Sequence, residues 1–213
     1  MKLGIFGGSF DPVHNGHLEL ARIAKEQFGL SKVFFVPTCV SPLKPNGAVA
    51  SNEARLTMLQ LAIEAFADFG ICTYDMDRGG RSYTIELMRH LKQEYPGAEL
   101  FFIIGGDSLS TLHRWYCCRE LVNEFSFIIF SRAGETLLFN EAFSPEEMAK
   151  LQRFVVSNFN MPVSSTELRQ ALAQGVLPKG GLLPPSVAEY AIANKIYKNY
   201  LGVGYELCNN KYK

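Results

Sequence analysis

The chain predicts an α/β fold: a doubly wound, mostly parallel sheet with helices on both faces and a helical C-terminal portion. Three observations carry that expectation. Short apolar runs alternate with segments of helical periodicity, the order from which right-handed strand–helix–strand units are built. The run Leu100-Phe-Phe-Ile-Ile104 is apolar at every position, as a strand is when helices cover both of its faces. A Gly-Gly turn joins the first apolar run to the first helical pattern, which sets a tight turn at the carboxyl end of a strand.

The elements follow in order. Strands are expected over residues 3–6, 32–36, 70–73, 100–104, 125–130 and 153–156, where β-branched and aromatic residues gather between turn formers. Helices are expected over 17–28, 52–66, 84–94, 108–122 with a break inside it, and 145–152. In the second of these, Leu56, Leu59, Ala62, Ile63 and Phe66 recur at helical spacing. Residues 37–50 hold Pro37, Pro42, Pro45 and Gly47 and read as a loop; residues 133–144 read as a second one. Residues 164–200 are expected to be almost all helical. With no internal repeat or low-complexity stretch, residues 1–213 read as one domain in which 164–200 is a helical C-terminal subregion.

Composition removes several classes of function. The 21 basic and 21 acidic side chains balance, which argues against a nucleic acid as the main partner. No run reaches the roughly 18 apolar residues of a membrane span, and the polar stretch 7–16 does not fit a signal peptide. A cytoplasmic protein is expected. The cysteines are Cys39, Cys72, Cys117, Cys118 and Cys208, an odd set without zinc or disulfide spacing, and they read as ordinary half-buried thiols.

The chemistry gathers at two helix starts. Gly7-Gly-Ser-Phe-Asp-Pro-Val-His-Asn-Gly-His17 runs from strand to helix. Such a turn frees backbone N–H groups and adds the positive end of a helix dipole, which together attract phosphate. It is neither a G-x-G-x-x-G fingerprint nor a P-loop. His14 and His17, three residues apart, share a face, and Gly16 removes a side chain that would block a phosphate. The pair reads as two donors to a polyphosphate, with pKa values raised in the complex; a solvated pair and a metal pair are the alternatives. The second start, Ser164-Ser-Thr-Glu-Leu-Arg169, has capping-box spacing between Ser164 and Glu167. Ser165, Thr166 and an inward Arg169 exceed what a cap requires and add anion donors.

Other residues stand at turns and helix starts. Tyr83 and Thr84 begin a helix whose free amides suit an anion, or merely a capped helix. Trp115, the only tryptophan, either stacks on a flat ring or belongs to the core. Gly105, Gly106 and Asp107 follow the all-apolar strand, where Asp107 either accepts from ligand hydroxyls or caps a helix. Arg132, after the fifth strand, faces a ligand or solvent.

The first motif resembles the [T/H]-x-G-H motif of nucleotidyltransferases, and Val163-Ser-Ser-Thr-Glu-Leu-Arg169 resembles their I-S-S-T-x-x-R motif. Ser82-Tyr-Thr84, Gly105-Gly-Asp-Ser108, His113-Arg-Trp115, the stretch Leu183-Pro-Pro-Ser-Val-Ala-Glu-Tyr190, and residues 194–197 are similar to the bacterial nicotinate-nucleotide adenylyltransferase family in particular. The resemblance covers nearly the whole chain. It implies a Rossmann-like fold and transfer of AMP from ATP to nicotinate mononucleotide in NAD biosynthesis, with release of pyrophosphate. It further implies that His14 and His17 hold phosphates, that Lys44 neutralises departing charge, and that Ser164, Ser165, Thr166 and Arg169 hold the β/γ side. Gly7, Gly8, Ser9, Phe10, Gly105 and Asp107 would complete the ATP site, and Tyr83, Thr84, Trp115 and Arg132 the acceptor site. Mg²⁺ would bridge phosphate oxygens, with no protein residue named as its ligand. Leu43 before Lys44, Glu86 after the Tyr-Thr pair and Ala133 after Arg132 depart from the family's pattern. Transfer to nicotinamide mononucleotide or phosphopantetheine, and a nucleotide sensor without chemistry, are the other readings; self-association is left open.

Overall fold

The computed structural model describes residues 1–43, 47–132, 134, 137, 139–159, 163–178 and 180–200. Six strands, β1 (Lys2–Gly8), β2 (Lys32–Pro37), β3 (Phe69–Ile71), β4 (Glu99–Gly105), β5 (Ser126–Arg132) and β6 (Val155–Phe159), form one sheet. Its order is β3-β2-β1-β4-β5-β6, and every neighbouring pair is parallel. The chain therefore winds one way from β1 to β3 and the other way from β4 to β6. The crevice between β1 and β4, where the order reverses, opens at their carboxyl ends, and there Gly7-Gly8 and Gly105 sit.

Both faces of this sheet are dry. Phe6, Val33, Phe35, Phe101, Ile103, Ile128 and Phe130 point into one core, under helices α1 (Asn15–Phe28), α2 (Asn52–Ile63), α8 (Ser165–Ala173) and α9 (Pro185–Ala193). Leu3, Ile5, Leu100, Phe102, Ile104, Phe127 and Ile129 point into the other, under α4 (Thr84–Glu94), α5 (Gly106–Thr111), α6 (Cys118–Glu124) and α7 (Pro145–Gln152). Residues 100–104 alternate between the two cores, which is why every position of that run is apolar. Each such side chain contributes about 1.5–3 kcal/mol of burial.

Several expectations are corrected. β6 begins at Val155, because Arg153 still closes the last turn of α7. α2 ends at Ile63, short of Phe66. A five-residue helix, α3 (Tyr74–Arg78), was not expected; five residues are too few to show a period. The break inside 108–122 is real: a 3₁₀ turn (Leu112–Arg114) follows α5, and Cys117 at φ 50° precedes α6. Residues 164–200 are not almost all helical. Gly175, Gly180 and Gly181 take positive φ, and Pro184 follows, so residues 174–178 and 180–184 are loop between α8 and α9.

Candidate active site

The turn between β1 and α1 is organised by its two histidines. His14 caps α1: its Nδ1 accepts the His17 backbone N–H at 3.3 Å, and His17 Nδ1 accepts the His14 N–H at 3.2 Å. This is a capping box in which imidazoles replace the usual hydroxyl and carboxylate. The rings stack, centroids 3.6 Å apart and planes 17° from parallel. Both Nδ1 atoms are committed as acceptors, so a neutral ring carries its proton on Nε2. Nε2, at the far edge, is then the donor of each ring. Among the described residues no group of three or more His, Cys, Asp or Glu could hold a metal ion, so the metal-pair alternative has no further ligands there.

Three details differ from the expectation. Gly16 serves the histidines: a Cβ there would lie 3.1 Å from His14 Nδ1, so its absence lets that ring fold back on the helix. The α1 amides are less free than expected, since Asn15 N–H goes to Leu182 O and His17 N–H to the His14 ring. Phe10, expected against ATP, has its side chain buried in the core at 2% exposure. Its ring meets Phe6, Phe35 and, edge-on at 5.1 Å, His17. It takes φ 46°, a conformation rare outside glycine, and thereby turns a core anchor against the His17 imidazole. A Cβ at Gly8 would lie 3.0 Å from that ring and one at Gly7 3.0 Å from the ring of Phe102, so a side chain at either position would have to push an aromatic ring aside.

The second helix start meets the first. Ser164 Oγ accepts Glu167 N–H at 3.4 Å, one half of the expected capping box. Arg169 reaches across to the turn, where Nη1 donates to Asp11 O at 2.6 Å; Nη2 donates to Thr166 Oγ1 and to Tyr200 OH. A Cβ at Gly16 would be 3.6 Å from Val163, which directly precedes Ser164. The amino ends of α1 and α8 therefore converge, with Ser165 and Thr166 in the first turn of α8. Ser9, in the same turn as Phe10, has its carbonyl bound at 2.7 Å by Arg55 Nη1.

That arginine was missed, as was Asp11. Arg55 is buried, and its Nη2 also bonds Thr38 O and Asn52 Oδ1. It ties the loops that follow β1 and β2 from behind. Asp11, likewise buried, accepts from Val49 N–H, Ala50 N–H and Tyr197 OH. In the sequence these look like one charge on an amphipathic helix and one turn aspartate; nothing local marks them as buried.

On the other side of the crevice, Tyr83 precedes α4 and makes no side-chain cap, so the first amides of the helix at Thr84 are not blocked by one. The Tyr83 ring lies 4.8 Å from that of Tyr116, the exposed neighbour of Trp115. Trp115 is half-buried; one edge meets Phe102, and Nε1 is buried without a partner among the described residues. Gly105 caps α5, so Asp107 is not the cap; it stands exposed in the first turn. Arg132 ends β5. Lys44 lies outside the described residues.

The Cytidylyltransferase-like family matches residues 5–171. A probable nicotinate-nucleotide adenylyltransferase from Carboxydothermus hydrogenoformans is 37% identical over 199 residues, spanning 92% of this chain and 98% of that relative. Another, from Herpetosiphon aurantiacus, is 39% identical over 197 residues, spanning 92% and 98%. The chain belongs to the nicotinate-nucleotide adenylyltransferase family. It is an enzyme of the nucleotidyltransferase class. Among solved structures, Plasmodium falciparum nicotinic acid mononucleotide adenylyltransferase complexed with NaAD has the same fold, with a TM-score of 0.71 at 20% identity over 92% of this chain and 97% of that one. No helix among the described residues is long and apolar enough to cross a membrane.

In this adenylyltransferase-family chain, burial pushes His14 down from 6.5 to about 4, whereas the sequence led us to expect raised values in the complex. Without ligand the ring is an uncharged donor at neutral pH. The unfolded chain holds more protons than the folded one between about pH 4 and 6.5. This group's contribution is therefore complete above pH 6.5 and is lost as pH falls through 4, by about 3 kcal/mol. Urea unfolding at pH 7.5 and 4.5 checks it: the wild type is expected to lose more stability than His14→Gln, and equal losses would refute it.

Proposed function

We propose that the protein transfers AMP from ATP to nicotinate mononucleotide, releasing pyrophosphate and forming nicotinate adenine dinucleotide, in the cytoplasmic synthesis of NAD. The observation that carries this reading is the meeting of α1 and α8 at their amino ends, with two imidazole Nε2 donors and a guanidinium at one turn. In the reaction a phosphate oxygen of the mononucleotide bonds to the α-phosphorus of ATP. The bond from that phosphorus to the α–β bridging oxygen breaks, and its electron pair leaves with pyrophosphate. No covalent enzyme intermediate is needed, so the work is positioning and charge stabilisation.

His14 and His17 would donate to the α/β region, where negative charge shifts during transfer, with His17 closest to the departing oxygen. Ser164, Ser165, Thr166 and Arg169 would hold the β/γ side, and Lys44 would offset the charge of the leaving group. Gly7, Gly8 and Ser9 would bring backbone near the nucleotide, while Gly105 and Asp107 would take the ribose. Mg²⁺ fits as an ion carried on phosphate oxygens: the Asp11 carboxylate is occupied by three donors. When bound, the ion offsets triphosphate charge.

On the acceptor side, the first amides of α4 at Tyr83 and Thr84 suit the nicotinate carboxylate, and Trp115 would stack its half-exposed ring on the pyridine. Arg132 would approach the same nucleotide. The amide analogue lacks the charge, so acid is preferred. Pyrophosphate release from ATP, measured with nicotinate mononucleotide, its amide and phosphopantetheine, tests the reading; kcat/KM is expected to be highest for the acid. ATP binding with no release for any acceptor would replace it with a sensor. Trp115→Ala is expected to raise the KM of the acceptor about tenfold or more while leaving that of ATP within about twofold. Equal weakening of both, with a lowered Tm, would make this ring purely a core element.

A further inference from the structure

One carboxylate joins the parts of the proposed phosphate site. Asp11 accepts at Oδ2 from Val49 N–H, 2.6 Å, and at Oδ1 from Ala50 N–H, 3.1 Å, which anchors the end of the 37–50 loop to the β1–α1 turn. Its backbone carbonyl takes Arg169 of α8 at 2.6 Å. Two residues earlier, the Ser9 carbonyl takes Arg55 of α2 at 2.7 Å. The remaining donor comes from the far end of the chain. Tyr197 OH reaches Asp11 Oδ1 at 2.8 Å, from a side chain only 1% exposed. Nearby, Tyr200 OH accepts from Arg169 and its ring lies 4.7 Å under that guanidinium.

We infer that Tyr197 is a positioning residue for the phosphate-binding turn, acting through the carboxylate of Asp11. A carboxylate with three donors has its plane and rotamer set; with one donor missing it can turn toward the charge of Arg55, and the amides of residues 49 and 50 follow. His14 lies three residues beyond Asp11 on the same short turn, so a rotated Asp11 displaces the imidazole pair. Burial beside Asp11 pushes the Tyr197 hydroxyl pKa up, so it stays a donor across the working range of pH. The turns that follow α9 thus have a task in the site without touching the nucleotide.

The inference rests on the adenylyltransferase reading for its kinetic consequence, and ATP affinity supplies a readout that does not. Tyr197→Phe keeps the ring and removes only the hydroxyl. It is expected to lower kcat/KM for ATP about tenfold and to weaken ATP binding, measured by titration calorimetry, in parallel. Asp11→Ala removes both carboxylate oxygens, and with them the acceptor of Tyr197 OH. If Tyr197 acts through Asp11, the double variant Tyr197→Phe/Asp11→Ala has the same kcat/KM and ATP affinity as Asp11→Ala alone. Should the wild type bind ATP but turn over no acceptor, the adenylyltransferase reading fails while the affinity cycle still decides this one. Wild-type kinetics and affinity in Tyr197→Phe with only a lowered Tm, or additive losses in the double variant, would overturn it. If Asp11→Ala does not fold, the kinetics and affinity of Tyr197→Phe alone decide between the two outcomes.

Discussion

Replacing His17 with alanine is expected to lower kcat by about 10²–10⁴-fold. Two things are lost together. The Nε2 donor proposed to stabilise charge at the departing oxygen disappears, and so does the Nδ1 acceptor that caps the His14 N–H at 3.2 Å. Two further variants separate them. In His17→Asn the side-chain oxygen can occupy the place of Nδ1, so the cap and the Tm are kept while the distal donor is missing. In His17→Gln the amide nitrogen can reach the place of Nε2 and restore part of the donor. The expected order of kcat is wild type, then glutamine, then asparagine and alanine together. Steady-state kinetics at saturating ATP check it. A loss of ATP affinity with unchanged turnover would reassign His17 to holding the ground state.

The largest effect on stability is expected at Arg55. Its side chain is wholly buried in the fold, and its guanidinium bonds Ser9 O, Thr38 O and Asn52 Oδ1 at 2.6–2.7 Å. Burial pushes its pKa down, opposed by the charge of Asp11, which is the signature of a cation kept inside by its partners. Arg55→Ala strands three acceptors, leaves Asp11 without its cation and opens a hole under the loops after β1 and β2. About 3–5 kcal/mol of stability should be lost. For a chain of this length that lowers Tm by on the order of 10 °C. Arg55→Met fills the volume without the bonds and should recover only part of the loss. Denaturant unfolding measures both; a loss below about 1 kcal/mol in Arg55→Ala would mean that water replaces the guanidinium without cost.

The helices α4 and α7 lie where local signals put them, at Thr84–Glu94 and Pro145–Gln152, because a strong amphipathic period and a Ser-Pro start are written in adjacent residues. The histidine pair was visible, but its reciprocal cap was not. The spacing His14-x-x-His17 is that of a capping box, and imidazole is seldom considered as the acceptor. The direction of the Phe10 ring was not legible, because an aromatic residue inside a ligand-facing motif gives no sign of which way its ring points. Here a positive φ sends it into the core. The loop between α8 and α9 was legible in Gly175, Gly180 and Gly181 and was passed over for the apolar residues around them.

What the sequence by itself determined is the class of the fold, the parallel sheet with both faces dry, and the two polar helix starts. All of these follow from residues close together in the chain, whose periodicity and turn chemistry act locally. Only the tertiary structure decided that the two starts meet, that Arg55 lies inside, and that Tyr197 closes on Asp11 across 186 positions. Those hydrogen bonds depend on where the β3-β2-β1-β4-β5-β6 winding carries distant segments, and no spacing along the chain encodes them. Once the winding buries these groups, stranding one of them costs free energy that no local preference repays, and so the pairings are favoured by the fold and silent in the sequence.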